Sequence, residues 1–162
     1  MILTFNNLLQ MIIAALFLIV FTFCTWYEGS EIMDRPWEWK YSTHFTHVND
    51  EQAIDAVDIS NFDHFVYAAK FKPLFPLLMV LAASYIIILT GYILFKSNIK
   101  KMALFLLGLG VLFLLSTGFV SNSPTVGGNI FQAFFLIGGM IAIMAASLYY
   151  YRMPRGLNTF MK

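Results

Sequence analysis

His44, His47 and His64, with Asp50, Glu51 and Asp63, are the side chains of this sequence best suited to chemistry. Imidazole and carboxylate are zinc ligands, and histidine is the side chain that titrates near neutral pH. The spacing works against a metal centre. His44 and His47 stand three residues apart, and on an extended strand such residues point to opposite faces. Solvated histidines with a pH response are the plainer reading, so no metal or cofactor site is assigned. The sequence holds no nucleophile elbow, no H-E-x-x-H pair and no phosphate loop. No catalytic residue is assigned, and the chain reads as non-enzymatic. Cys24 lies in apolar company and reads as packing rather than as a reactive thiol.

The elements around this cluster are mostly hydrophobic. Of 162 residues, 59% are hydrophobic and 12% charged, against roughly 45–50% and about 25% in a soluble domain. Mean hydropathy is +0.72. Those values exclude a disordered chain, a basic nucleic-acid-binding domain and an ordinary soluble enzyme. The formal net charge of +1 conceals a segregation, because all nine acidic residues lie between Glu28 and Asp63.

Four uncharged apolar runs, Leu8–Trp26, Pro73–Phe95, Met102–Val120 and Ile130–Tyr150, are long enough for roughly 30 Å of hydrocarbon, which takes about 20 helical residues. In lipid the backbone must satisfy itself, so these runs are expected as helices. The expected fold is an all-α membrane protein, a four-transmembrane-helix bundle with a small extracytoplasmic segment between the first two spans. No Lys or Arg precedes the first run and no small-x-small site follows it, so it is expected to stay as a helix rather than be cleaved. Lys96, Lys100 and Lys101 follow the second span, and Arg152, Arg155 and Lys162 follow the fourth. Lys and Arg favour the cytoplasmic side. Both termini (1–7 and 151–162) and the loop 96–101 are therefore expected in the cytoplasm, with 27–72 and 121–129 outside.

Within the spans, Gly138, Ala142 and Ala146 recur every four residues. Small residues at that period let neighbouring helices approach closely. The stripe serves either packing inside the bundle or a contact with another membrane subunit. Ser84, Thr90, Ser116, Thr117 and Gln132 are the main polar side chains of the spans, each expected to bond a neighbouring helix or its own backbone. With no ionisable group in any span, a pump or proton-coupled transporter is disfavoured.

Residues 27–72 carry four basic side chains against the nine acids, yet include nine aromatics. Disordered acidic segments are poor in aromatics, so this segment is expected to be ordered against the spans or the lipid headgroups. Trp37, Trp39, Tyr41, Thr43 and Phe45 alternate with polar residues, which predicts a strand with one aromatic face or a short extended stretch. Asp50–Val57 has a helical pattern. Ser60-Asn-Phe-Asp63 resembles a capping box. Phe62, Phe65, Val66 and Ala69 then form the apolar stripe of a short amphipathic helix at the membrane surface.

The runs Tyr27–Glu31, Pro36–Tyr41 and Phe65–Phe71, followed by Pro73 and Pro76, resemble a family of small YjdJ-like membrane proteins of unknown function from spore-forming Gram-positive bacteria. The resemblance covers roughly residues 10–95. It implies a bacterial plasma membrane and carries over no catalytic residues.

The functional expectation is an accessory or regulatory protein in the lipid bilayer, binding an envelope partner through Trp37, Trp39 and Tyr41. The alternative is a small transporter or channel component for an uncharged or hydrophobic solute. No nucleic-acid partner is expected.

Overall fold

The structure, a computed structural model, describes residues 4–43, 45, 46 and 59–151. All regular structure there is helical. α1 runs over Phe5–Gly29, two 3-10 turns follow at Ser30–Asp34 and Pro36–Glu38, and α2 is the single turn Trp39–Ser42. Then come α3 (Asn61–Phe71), α4 (Leu74–Phe95), α5 (Ile99–Val120) and α6 (Val126–Tyr151). α1, α4, α5 and α6 are each long and apolar enough to cross a membrane.

Local chemistry sets the helix starts. Asn98 caps α5 by accepting from Lys101 N at 3.2 Å, and Thr125 Oγ1 accepts from Gly128 N at 3.2 Å at the start of α6. Each bond satisfies one of the backbone donors a helix N-terminus leaves open. Pro73 and Pro76 sit before and within the first turn of α4, where a missing N–H costs nothing. Inside the long helices the hydroxyls bond back to their own helix. Thr90 Oγ1 donates to the Ile86 carbonyl at 2.8 Å, and Ser84, Ser116 and Thr117 do the same four residues back.

The long helices pack as two pairs, α1 with α4 and α5 with α6. Tyr85 donates to Gln10 Oε1 at 3.1 Å across the first pair. The second pair closes where glycines bring the two backbones together. The pairs meet at one end, where the Phe105 ring fills the space a side chain at Gly91 would occupy and lies 5.7 Å from Phe95. Towards the other end α3 bridges them, touching α1, α4 and α6.

The strand expected over Trp37–Phe45 does not form: Pro36–Ser42 is helical. The alternation that suggested an aromatic face has a different meaning at 3.6 residues per turn. Trp37 and Tyr41, four apart, share a side, and Trp39 falls opposite. A lone strand also lacks any partner for its backbone, whereas a helical turn satisfies itself. The Thr43 amide donates to the Trp39 carbonyl at 3.0 Å. The helical pattern at Asp50–Val57 lies outside the described residues.

α3 begins at Ser60 as expected, with Ser60 Oγ accepting from Phe62 N. The reciprocal bond of a capping box is absent. Asp63 instead accepts from the Phe45 amide at 3.0 Å and the Thr46 amide at 2.8 Å, and Ser60 N donates to Thr46 Oγ1. Nor is the apolar stripe the buried face of α3. Asp63, His64, Tyr67 and Ala68 are buried, while Phe62 is exposed and Phe65, Val66 and Ala69 are half-buried.

Candidate functional site

The polar cap over the α1–α4 pair is the most chemically dense part of the molecule. Its centre is a small core of Ile32, Ile59 and Tyr67, with Trp39 and Phe71 packed against it. Trp39 enters this core because its indole N–H reaches the Ile32 carbonyl at 2.7 Å. That bond ties the short helical turn back onto the end of α1. Tyr67 sits at the centre of α3 and donates its hydroxyl to Glu38 Oε2 at 2.6 Å. Burial pushes the Tyr67 hydroxyl above its ordinary pKa, and the Glu38 carboxylate adds to the effect.

A chain of charges runs round the rim. Glu31 takes Lys72 Nζ at 2.7 Å and Arg35 Nη2 at 2.8 Å, and Arg35 also approaches Glu38 at 3.6 Å. The Lys72 ammonium holds the Glu31 carboxyl below its usual range, and Arg35 adds to it. Lys70 donates to the Tyr41 carbonyl. These contacts link the 3-10 turns, α2, α3 and the start of α4. They account for how the described residues of this segment hold a defined shape without a disulfide.

Two glycines seat α3. A Cβ on Gly29 would lie 2.1 Å from the His64 carbonyl oxygen, and one on Gly127 would lie 1.9 Å from that of Ala69. α3 thus touches α1 and α6 backbone to backbone, a contact only glycine permits. Over the first contact the Trp26 indole stacks on the His64 imidazole, centroids 5.9 Å apart and planes 14° apart.

The expected partner-binding residues separate into two groups. Trp37 is 69% and Tyr41 47% exposed, while Trp39 is turned into the core. Phe45 and Phe62 form a second exposed aromatic pair, 5.6 Å apart. Of the helix-packing residues, Ala142 and Ala146 are buried on α6, and Gly138 is half-buried under Phe113. Gly139, beside it, makes the close contact with α5. His44, His47, Asp50 and Glu51 lie outside the described residues. His64 and Asp63 are neighbours with separate surroundings, Asp63 holding the Thr46 segment and His64 lying under Trp26. Among the described residues no group of three potential ligands is placed to hold a metal.

Sequence reasoning missed Tyr67, Glu38, Glu31 and Lys72, whose pairings depend on how the turns fold back. It also missed Gly29 and Gly127. Their signal was a lone glycine at the end of the first span and a Gly-Gly pair at the start of the fourth.

Among the described residues, fold and cap together define an all-helical arrangement with four helices of membrane-crossing length and a compact polar cap over the first pair. The chain belongs to the family described as Domain of unknown function (DUF4306), whose model matches residues 8–95. That stretch is most of α1, the cap and α4, so α5 and α6 lie beyond it. The chain is 28% identical over 85 residues to Uncharacterized protein YjdJ of Bacillus subtilis (strain 168), a match covering 50% of this chain and 76% of that protein. The resemblance carried by Tyr27–Glu31, Pro36–Tyr41 and Phe65–Phe71 falls inside the matched stretch. No solved structure matches the chain.

Proposed function

We propose that the protein is a non-enzymatic, multi-pass protein of the bacterial plasma membrane. Its helix pairs lie together as one bundle, its termini face the cytoplasm, and its cap docks outside on another envelope protein. The orientation is supported by Lys96, Lys100, Lys101, Arg152, Arg155 and Lys162 at one end of the spans and the nine acids at the other.

One observation carries the docking reading. Trp37 and Tyr41 stand exposed one turn apart on a helical stretch whose third aromatic, Trp39, is anchored inward by its bond to Ile32. Trp and Tyr supply large, rigid contact area and dominate binding hot spots. Holding them on a fixed turn lowers the ordering cost of association.

The test is a photocrosslinking residue placed at 37 or 41 and activated in native cells. A discrete adduct with one and the same envelope protein from both positions, and none from the exposed Leu104 of α5, supports the reading. Lipid adducts alone from every position would remove it.

The transporter reading draws on a different feature, a cavity of about 540 Å³ between α3, α4, α5 and α6, walled by Phe65, Pro76, Met79, Phe119, Phe131 and Phe135. A hydrophobic solute suits such a wall. That reading requires no adduct at position 37.

A further inference from the structure

Thr25 Oγ1 of α1 and both ring nitrogens of His64 are buried side-chain atoms with no hydrogen-bond partner, as is Glu28 Oε2, on a side chain that lies beside Lys72 and the start of α4. Such atoms are rare in folded proteins, because each has given up water without replacing it. Thr25, Glu28 and Gly29 fall on one face of α1, three and four residues apart. The His64 backbone presses on Gly29 and the Trp26 ring covers the imidazole. His64 itself is 1% exposed.

We propose that His64 is a proton-sensitive lock, whose neutral ring keeps α3 closed on α1 and whose protonation releases α3 from that seam.

A neutral imidazole can serve as an aromatic plate under Trp26. An imidazolium carries two charged donors and a large hydration energy, which a ring this deeply buried cannot keep and the Trp26 backbone offsets only in part. Opening the seam restores that hydration. Burial therefore depresses the pKa of His64 below its ordinary 6.5, against smaller opposing effects of Asp63 and the Trp26 backbone. The closed form binds the proton less tightly than the open form. The stability of the contact is thus fully present above about pH 6.5 and falls as the pH drops below that value.

Among the described charged side chains of the cap, Asp34 is exposed and those named next are engaged elsewhere. Asp63, next along α3, holds the Phe45 and Thr46 amides. Glu31, Arg35 and Lys72 pair with one another, Glu38 accepts from Tyr67, and Lys70 donates to Tyr41. Glu28 is the acid on the α1 side with an oxygen left over. This inference does not rest on the docking reading.

The experiment is amide hydrogen exchange of the α3 segment, with the full chain in lipid nanodiscs, at about pH 7.5 and about pH 5.5, corrected for the intrinsic rate. Protection of α3 should fall on acidification, by up to about tenfold for each unit separating the open and closed pKa values. His64→Phe keeps the plate without the proton and should flatten the profile. The double variant His44→Gln, His47→Gln should keep the wild-type transition, and it decides the matter if His64→Phe does not fold. A flat wild-type profile, an unchanged profile in His64→Phe, or a transition lost in the double variant would overturn the proposal. So would protection that rises on acidification, the result expected if the imidazolium instead paired with Glu28 inside the seam.

Discussion

Gly110 of α5 and Gly139 of α6 face each other so closely that a Cβ on either would meet the other's carbonyl oxygen, at 3.0 and 3.1 Å. The contact is reciprocal, so neither helix can yield without the other moving. Ile143 closes over Gly110 and Leu114 over Gly139. In lipid, where apolar side chains gain little by leaving the solvent, such close backbone packing is what holds a helix pair together.

Gly139→Leu should therefore separate α5 from α6. Overpacking of this kind costs about 1–3 kcal/mol, read as a lower melting midpoint in detergent. Gly108 and Gly118 meet no atom within 4 Å on their Cβ side. Leucine at either position should leave the midpoint unchanged, which separates a packing effect from a general cost of replacing glycine.

Gly29 makes the equivalent test for the cap. Its Cβ would lie 2.1 Å from a backbone oxygen of His64, so Gly29→Ala must push α3 off α1 rather than shift a flexible side chain. Hydrogen exchange should speed up across α3, with α5 and α6 unaffected. Unchanged protection of α3 would show that the seam between Gly29 and His64 is looser than described.

The long helices were legible because their signal is local: some twenty uncharged apolar residues leave one option for the backbone. The cap was legible only in part. Ser60 was readable as a cap because a hydroxyl at a helix start has a near partner. Asp63 was not, since its partners, the Phe45 and Thr46 amides, lie 17 or 18 residues away in sequence. The alternation of Trp37, Trp39 and Tyr41 was real but ambiguous, as spacing by two puts residues on one face of a strand and on opposite faces of a helix. What decided it was the Trp39 bond to the Ile32 carbonyl, a tertiary contact with no signature in the pattern. The choice of Gly139 over Gly138 turned on a rotation of one residue about the helix, finer than a small-residue period can specify.

Tyr67→Phe should destabilise the cap by about 1.5–3 kcal/mol, the usual cost of losing a hydrogen bond to a charged group, because it leaves the Glu38 carboxylate without its donor. The wild-type advantage should hold up to about pH 10.0, the ordinary tyrosine value, and be lost only as the pH rises towards the higher value Tyr67 has in the fold. Melting midpoints of the two proteins across the alkaline range test this. An advantage already gone near neutral pH would contradict the bond.

The central claim is that one aromatic of the cap holds the fold while its neighbours meet a partner, and comparison of Trp37→Ala with Trp39→Ala tests it most directly. Both are measured for melting midpoint and for the envelope-protein adduct formed by a photocrosslinker at position 41. Trp39→Ala should lower stability by about 3 kcal/mol, the low end of the range for truncating a packed aromatic, since it removes a core contact and the bond to Ile32. Trp37→Ala should leave the midpoint within about 0.5 kcal/mol of wild type, as an exposed substitution does, and abolish the adduct. A Trp37→Ala protein that melts early, or that keeps the adduct at full strength, would contradict the account.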